Sequence, residues 1–106
     1  MTKYLFTSTY TAEGLRGLLK DGGSGRVDAA RKAAESVGGH LDSMYFSFGD
    51  HDVHIICDLP DNKAAAALSL AVGASGGANS KTVVLLTPEE VDRATREAVD
   101  FRAPGA

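Results

Sequence analysis

Between Leu41 and Leu59 the sequence LDSMYFSFGDHDVHIICDL alternates apolar and polar side chains on either side of Gly49-Asp50-His51-Asp52, the pattern of two strands joined by a turn. Pairing Phe48 with Val53 gathers Met44, Phe46, Phe48, Val53, Ile55, Cys57 and Leu59 on one face and leaves Ser43, Tyr45, Ser47, His54, Ile56 and Asp58 on the other. A one-residue slip would send His54 and Asp58 among the phenylalanines, so burial itself selects the register. Gly49 and Asp50 are expected to form the structural turn, with Gly49 in a backbone conformation closed to other residues and Asp52 bonding turn amides.

The same patterns place the other elements. Lys3 to Tyr10 sets Tyr4, Phe6, Ser8 and Tyr10 against Leu5, Thr7 and Thr9, which suits a strand. Thr11 caps a short helix with Glu13 near its positive end, and Leu15, Leu18 and Leu19 are its expected buried side. Gly22, Gly23 and Gly25 interrupt that helix. Beyond the break Val27, Ala30, Ala34 and Val37 recur at helical spacing, with Arg26, Asp28, Arg31, Lys32 and Glu35 turned elsewhere, until Gly38-Gly39 ends the segment. After the hairpin, Asp61 caps a third helix whose run AAAALSLAV predicts burial on more than one side. Gly73 to Asn79 reads as a loop and Thr82 to Leu86 as a short strand. Thr87-Pro88-Glu89-Glu90 carries cap, N1 proline and reciprocal glutamate. It predicts a terminal helix to about Phe101 that buries Val91, Ala94, Ala98 and Phe101. Residues 1–102 thus form one domain, and residues 103–106 a frayed tail.

Strand, broken helix, hairpin, helix, strand and a final helix is an α+β order, that of the ferredoxin-like βαββαβ sandwich with a C-terminal helix added. Its helices cover one face of the sheet. Tyr45 and Ile56 on the other face call for a cover, and a second copy of the chain supplies one by twofold symmetry. The expectation is a homodimer, sheet to sheet, closing a two-chain barrel.

Composition narrows the function classes. A chain of 106 residues, 43% hydrophobic and 24% charged, has the size and balance of one soluble domain. No apolar run approaches the roughly 20 residues of a membrane span. No export signal opens the sequence, so a cytoplasmic location is expected. A net charge of −3 without a basic cluster argues against nucleic acid, and no amphipathic basic helix argues for a membrane surface. Cys57, the single cysteine, has no disulfide partner and falls in an apolar file.

Candidate chemistry centres on the hairpin. Asp52 with His51 or His54 could form an acid and base pair, since imidazole titrates near neutrality and a carboxylate orients it. His54, Asp52 and Tyr45 are the catalytic candidates, and Ser8, Tyr10, Ser47 and His51 the ligand-binding ones; structural turn and packing roles explain the same residues more simply. His40, His51 and His54 lack metal-ligand spacing, and no metal or cofactor is expected. Gly22 to Gly25, followed by Arg26, could cradle an anion at a helix start, although a helix break capped by Ser24 is the plainer reading. No nucleotide or nucleophile motif occurs.

The opening KYLFTSTYTAEGLRGLLKDGGSGR, the turn Gly49-Asp50-His51-Asp52, the segment Asp58-Leu59-Pro60-Asp61 and the ending Leu85-Leu86-Thr87-Pro88-Glu89-Glu90 resemble the GYD domain family from about Lys3 to Ala94. The resemblance implies a dimeric α+β barrel of bacterial origin and no particular reaction. His51 stands where the family pattern has its tyrosine, so no tyrosine hydroxyl carries over to this turn. Three functions fit: a small dimeric module binding a small organic ligand, a cofactor-independent monooxygenase- or isomerase-like enzyme, and a module for dimerisation alone.

Overall fold

In the computed structural model, which describes residues 1–106, β1 (Thr2–Tyr10) runs through the interior of a four-stranded antiparallel sheet of order β2-β3-β1-β4. The hairpin supplies β2 (His40–Phe46) and β3 (Val53–Leu59), and β4 (Ala78–Leu85) lies on the other side of β1. Helices α1 (Ala12–Ser36), α2 (Asn62–Ala74) and α3 (Pro88–Ala94) complete the order βαββαβα, the expected ferredoxin-like arrangement.

The hairpin keeps its predicted faces in a different register. Phe46, not Phe48, opposes Val53, and Met44 opposes Ile55. The two-residue shift preserves parity. Its cause is the loop: Ser47 N–H donates to Asp52 O and Asp52 N–H to Ser8 O, both at 2.9 Å, so the segment is tied across the end of β1. Phe48 is left outside the ladder and fully exposed. Gly49 has no positive φ and open space around its α-carbon, so its expected special conformation is absent. A bulge between Leu41 and Ser43 puts Leu41 and Met44 on the same face and turns Asp42 toward Lys3, which it meets at 3.0 Å. Lys3 also meets Asp58 at 3.0 Å, and hydrogen bonds to Asp58 and then Asp42 hold its ammonium pKa above the ordinary value.

Tyr4, Phe6 and Ser8 of β1 and Val53, Cys57 and Leu59 of β3 are buried on the helix side, against Ala34 of α1 and Ala64 and Ala65 of α2. Large side chains on the sheet meet small ones on the helices, which lets the helix backbones lie close. Helix α1 breaks at Gly22, whose φ of 73° belongs to the left-handed region. Thr11 caps its first half through Gly14 N–H at 3.1 Å, but Ser24 makes no capping bond. Leu18 alone of the three predicted leucines is half-buried, Leu15 and Leu19 being exposed. The second half buries Ala34 and partly Val27, Ala30 and Val37, as its spacing predicts. Asp61 caps α2 through Ala64 N–H at 2.9 Å. That helix buries one side only: Leu70 faces solvent and Val72 is partly exposed at the edge of the packed side, against the expectation from its apolar run. It also extends to Ala74, and β4 begins at Ala78, so the predicted loop shrinks to three residues.

Nothing in the chain packs over the opposite face of the sheet, where Leu5, Ile56, Val83, His54 and Tyr45 project. Tyr45 is 71% exposed and Val83 48%. The terminal helix differs most from expectation. Its capping box forms, Thr87 N–H donating to Glu90 Oε1 at 3.0 Å and Glu90 N–H to Thr87 Oγ1 at 3.1 Å, and the first of these bonds lowers the Glu90 carboxyl pKa. Yet the helix stops at Ala94, and Val91, Ala94, Ala98 and Phe101 are all exposed, because α1 and α2 occupy the covered face and the arm reaches neither. The radius of gyration is 16.8 Å, against about 13 Å for a compact chain of this length.

Candidate functional site

A cavity of about 130 Å³ lies between the sheet and the helices. The sheet contributes Phe6, Ser8 and Tyr10 from β1, Met44 from β2, Val53, Ile55 and Cys57 from β3, and Ala78 and Ser80 from β4. Strand alternation points these side chains inward in a single layer. Arg26, Ala29 and Ala30 of α1 and Leu68 and Val72 of α2 form the opposite wall. The two alanines leave the space: their helix approaches the sheet without filling it. Apolar cavities of about 150 Å³ hold a benzene-sized molecule, so the volume is that of one small ring.

Two further cavities share lining residues with it. One of about 370 Å³ shares Tyr10, Arg26, Val72 and Ala78 with it and adds Gly14, Gly17, Asp21 and Ser75. The other, about 260 Å³, adjoins Tyr10, Leu18, Phe46, Ser47, Phe48 and Asp52. Tyr10 thus borders all three, and its hydroxyl makes no hydrogen bond within the chain. Inside the first cavity the Ser8 hydroxyl donates to Ser80 Oγ at 3.1 Å. Arg26 is the single charged residue on its wall. The guanidinium makes no hydrogen bond and stands 3.6 Å from the Asp21 carboxylate.

The residues singled out from sequence divide by face. Ser8 and Tyr10 line the cavity, whereas Tyr45 and His54 are directly paired on the uncovered face of the sheet. Ser47 Oγ lies 2.8 Å from His54 Nε2 and 2.7 Å from His51 O. A carbonyl can only accept, so the one hydroxyl proton of Ser47 goes to His51 O and His54 must donate to Ser47. That direction is the reverse of what activates a serine. Asp52 Oδ2 accepts from Tyr10 N–H at 2.9 Å and bonds to neither histidine, so it fastens the loop to β1 rather than orienting an imidazole. His51 and His54 stand edge to face with ring centroids 6.3 Å apart, and the Thr9 hydroxyl donates to Asp50 O at 3.0 Å. No three His, Cys, Asp or Glu side chains converge as metal ligands would, and no helix is long and apolar enough to cross a membrane.

Cys57, Met44 and Ser80 line the cavity without having been site candidates in the sequence, and Arg26 was weighed there only as added charge beside an anion cradle at Gly22 to Gly25. A signal for Arg26 existed: it precedes Ala30 by four positions, one helical turn along the same apolar stripe. Cys57 is buried, and desolvation, followed by the Asp58 and Asp42 charges, pushes its thiol from 9.0 up to about 11. Two results follow from that value. At pH 8 only about one Cys57 in a thousand is thiolate in the folded protein, so iodoacetamide is expected to label it about a hundredfold more slowly than in denaturant. The folded-state value lies above the unfolded one, so the fold favours the neutral thiol. That contribution is intact below about pH 9 and is lost as the pH rises through about 11, a decline of roughly 2–3 kcal/mol. Denaturant unfolding at pH 8 and pH 11 should show it, and Cys57→Ala should remove it.

Comparison with curated proteins and with solved structures finds no match. The GYD domain family model matches residues 4–95, nearly the whole of the sheet, both packed helices and the capped start of the arm. The chain belongs to the GYD domain family.

Proposed function

We propose that this protein is a homodimeric module that holds a small, largely apolar organic molecule between its sheet and its helices. The cavity is the observation that carries the reading: its walls are mostly hydrocarbon, with a few polar groups placed to orient a guest, the usual make-up of a small-molecule site. A module serving dimerisation alone would have no use for such a space and would be more stable with it filled. The enzymic alternative needs a proton carrier at the guest, and the histidines on the other face do not touch this cavity.

The dimer half of the proposal rests on the uncovered face and on the arm. An isolated helix shorter than about 12 residues is marginal in water, and α3, seven residues long, buries none of its side chains within the chain. A second copy laid sheet to sheet would cover Leu5, Ile56 and Val83 and offer a surface to Val91 and Phe101.

Ala30→Leu tests the ligand site. It puts three extra carbons into the cavity from the helix side, at a cost of about 1–3 kcal/mol in stability. A thermal-shift screen of ring-sized organic compounds should find guests that raise the melting temperature of the native protein and lose that effect in the variant. Guests that stabilise both proteins equally would place the site elsewhere.

A further inference from the structure

The proposed cavity has a chemical asymmetry that its apolar walls do not require. Arg26 borders both the ring-sized space and the larger cavity beside it, and no carboxylate lines the first of them. Its side chain is 41% exposed and spends none of its N–H groups on a hydrogen bond within the chain, its one ionic neighbour being Asp21 at 3.6 Å, whose side chain is 43% exposed. A contact of that length between groups this open to water contributes little.

The position is also unfavourable for a cation. Arg26 falls in the first turn after the break at Gly22, where the amide ends of a new helical segment already concentrate positive potential. Local stability alone would favour Asp or Glu here. A cation held against its helix, with its donors unused, beside an apolar cavity, is arranged to meet an anion.

We infer that Arg26 is the anchor for a carboxylate on the guest, so that the ligand class is small aromatic or similarly compact carboxylic acids in their ionised form. This rests on the cavity reading above. The planar fork of a guanidinium matches a carboxylate through two parallel hydrogen bonds. The ring of the guest occupies the space below Ala29 and Ala30, and its carboxylate faces the wider cavity, displacing Asp21 from Arg26. Asp21 is then a competitor: it holds Arg26 in place when the site is free and repels the guest's anion when it approaches.

The roles of Arg26 and Asp21 have opposite signs, which makes the test sharp. Benzoate and its neutral isostere benzamide are titrated into the native protein, Arg26→Gln and Asp21→Asn, with binding read by calorimetry or by protein-observed NMR. Benzoate is expected to bind the native protein more tightly than benzamide, to weaken about tenfold in Arg26→Gln, and to bind more tightly in Asp21→Asn. Benzamide should respond to neither change. Arg26→Lys should restore part of the loss, since it keeps the charge without the fork. Equal binding of benzoate and benzamide, unchanged in both variants but abolished by Ala30→Leu, would overturn the carboxylate inference and leave the cavity standing. No binding of either probe to the native protein would overturn both. Loss of binding for both probes in Arg26→Gln would show a damaged site instead of a lost anchor, and that too would overturn the inference unless Asp21→Asn still tightened benzoate.

Discussion

Gly39→Ala is expected to lose about 3 kcal/mol or more of stability, while Gly49→Ala leaves stability within about 0.5 kcal/mol. The two glycines look alike in sequence, each flanking a strand of the hairpin. A methyl group at Gly39 would run into the backbone carbonyl of Asp58 and into Leu59, which is fully buried. That carbonyl belongs to β3 and cannot move without disturbing the ladder to β1. The same glycine returns its N–H to Ala34 O at 3.0 Å, so it joins the end of α1 to the start of β2. At Gly49 nothing lies within 4 Å of where the methyl would sit, and φ is not positive. Urea unfolding of the two variants beside the native protein measures the contrast. Equal effects would mean that helix end and strand do not meet as closely as described.

Ile56→Lys is expected to convert a dimer of about 22 kDa into a folded monomer of 11.0 kDa. Ile56 sits on β3 between Leu5 of β1 and Ser43 of β2, on the face that no helix covers. In a sheet-to-sheet dimer a lysine there would place a charge inside an apolar seam, near its twofold copy, and both desolvation and like-charge repulsion oppose that. In the isolated chain the ammonium reaches water, so the fold itself should survive. Light scattering at micromolar concentration gives the mass, and circular dichroism shows whether the secondary structure persists. A native protein that is already monomeric, or a variant that stays dimeric, would remove this face from consideration as the interface.

The layers of the fold were legible because they depend on parity. Phe46, Val53, Ile55 and Cys57 alternate with Tyr45, His54 and Ile56, and any register that respects burial keeps those sets apart. What parity cannot give is where the ladder stops. That was decided by Asp52 and Ser8, 44 positions apart in the chain, through bonds that carry no local signature. The bulge at Asp42 was invisible for the same reason, since its occasion is Lys3 on another strand. Caps were read correctly at Thr11, Asp61 and Thr87 because capping is a transaction among four neighbouring residues. Ser24 was misread because the positive φ of Gly22 broke the helix without a side chain.

The candidate site divided along similar lines. Ser8 and Tyr10 were legible as helix-side residues because they share the parity of Tyr4 and Phe6, and that parity brings both to the cavity wall. Arg26 was tied only to the glycines before it, as part of a possible anion cradle, and not to the cavity, because an arginine amid Asp28, Arg31, Lys32 and Glu35 reads as part of a solvated helix surface. Val91 and Phe101 show the opposite error. Their helical spacing is real, but periodicity says only that a residue has a preferred side, never whether the chain owns the surface that side requires.

The alanines that leave room beneath α1 have a consequence for how such a protein can diverge. Phe6, Val53 and Cys57 hold the sheet's inner layer together, so altering them endangers folding. Ala29 and Ala30 are half-exposed and carry little of the core, yet their methyl groups form part of the chamber's ceiling. Single substitutions there would resculpt the guest compartment at less structural risk than changes to the sheet's inner layer, so a lineage built on this scaffold could change what it accommodates while keeping its fold.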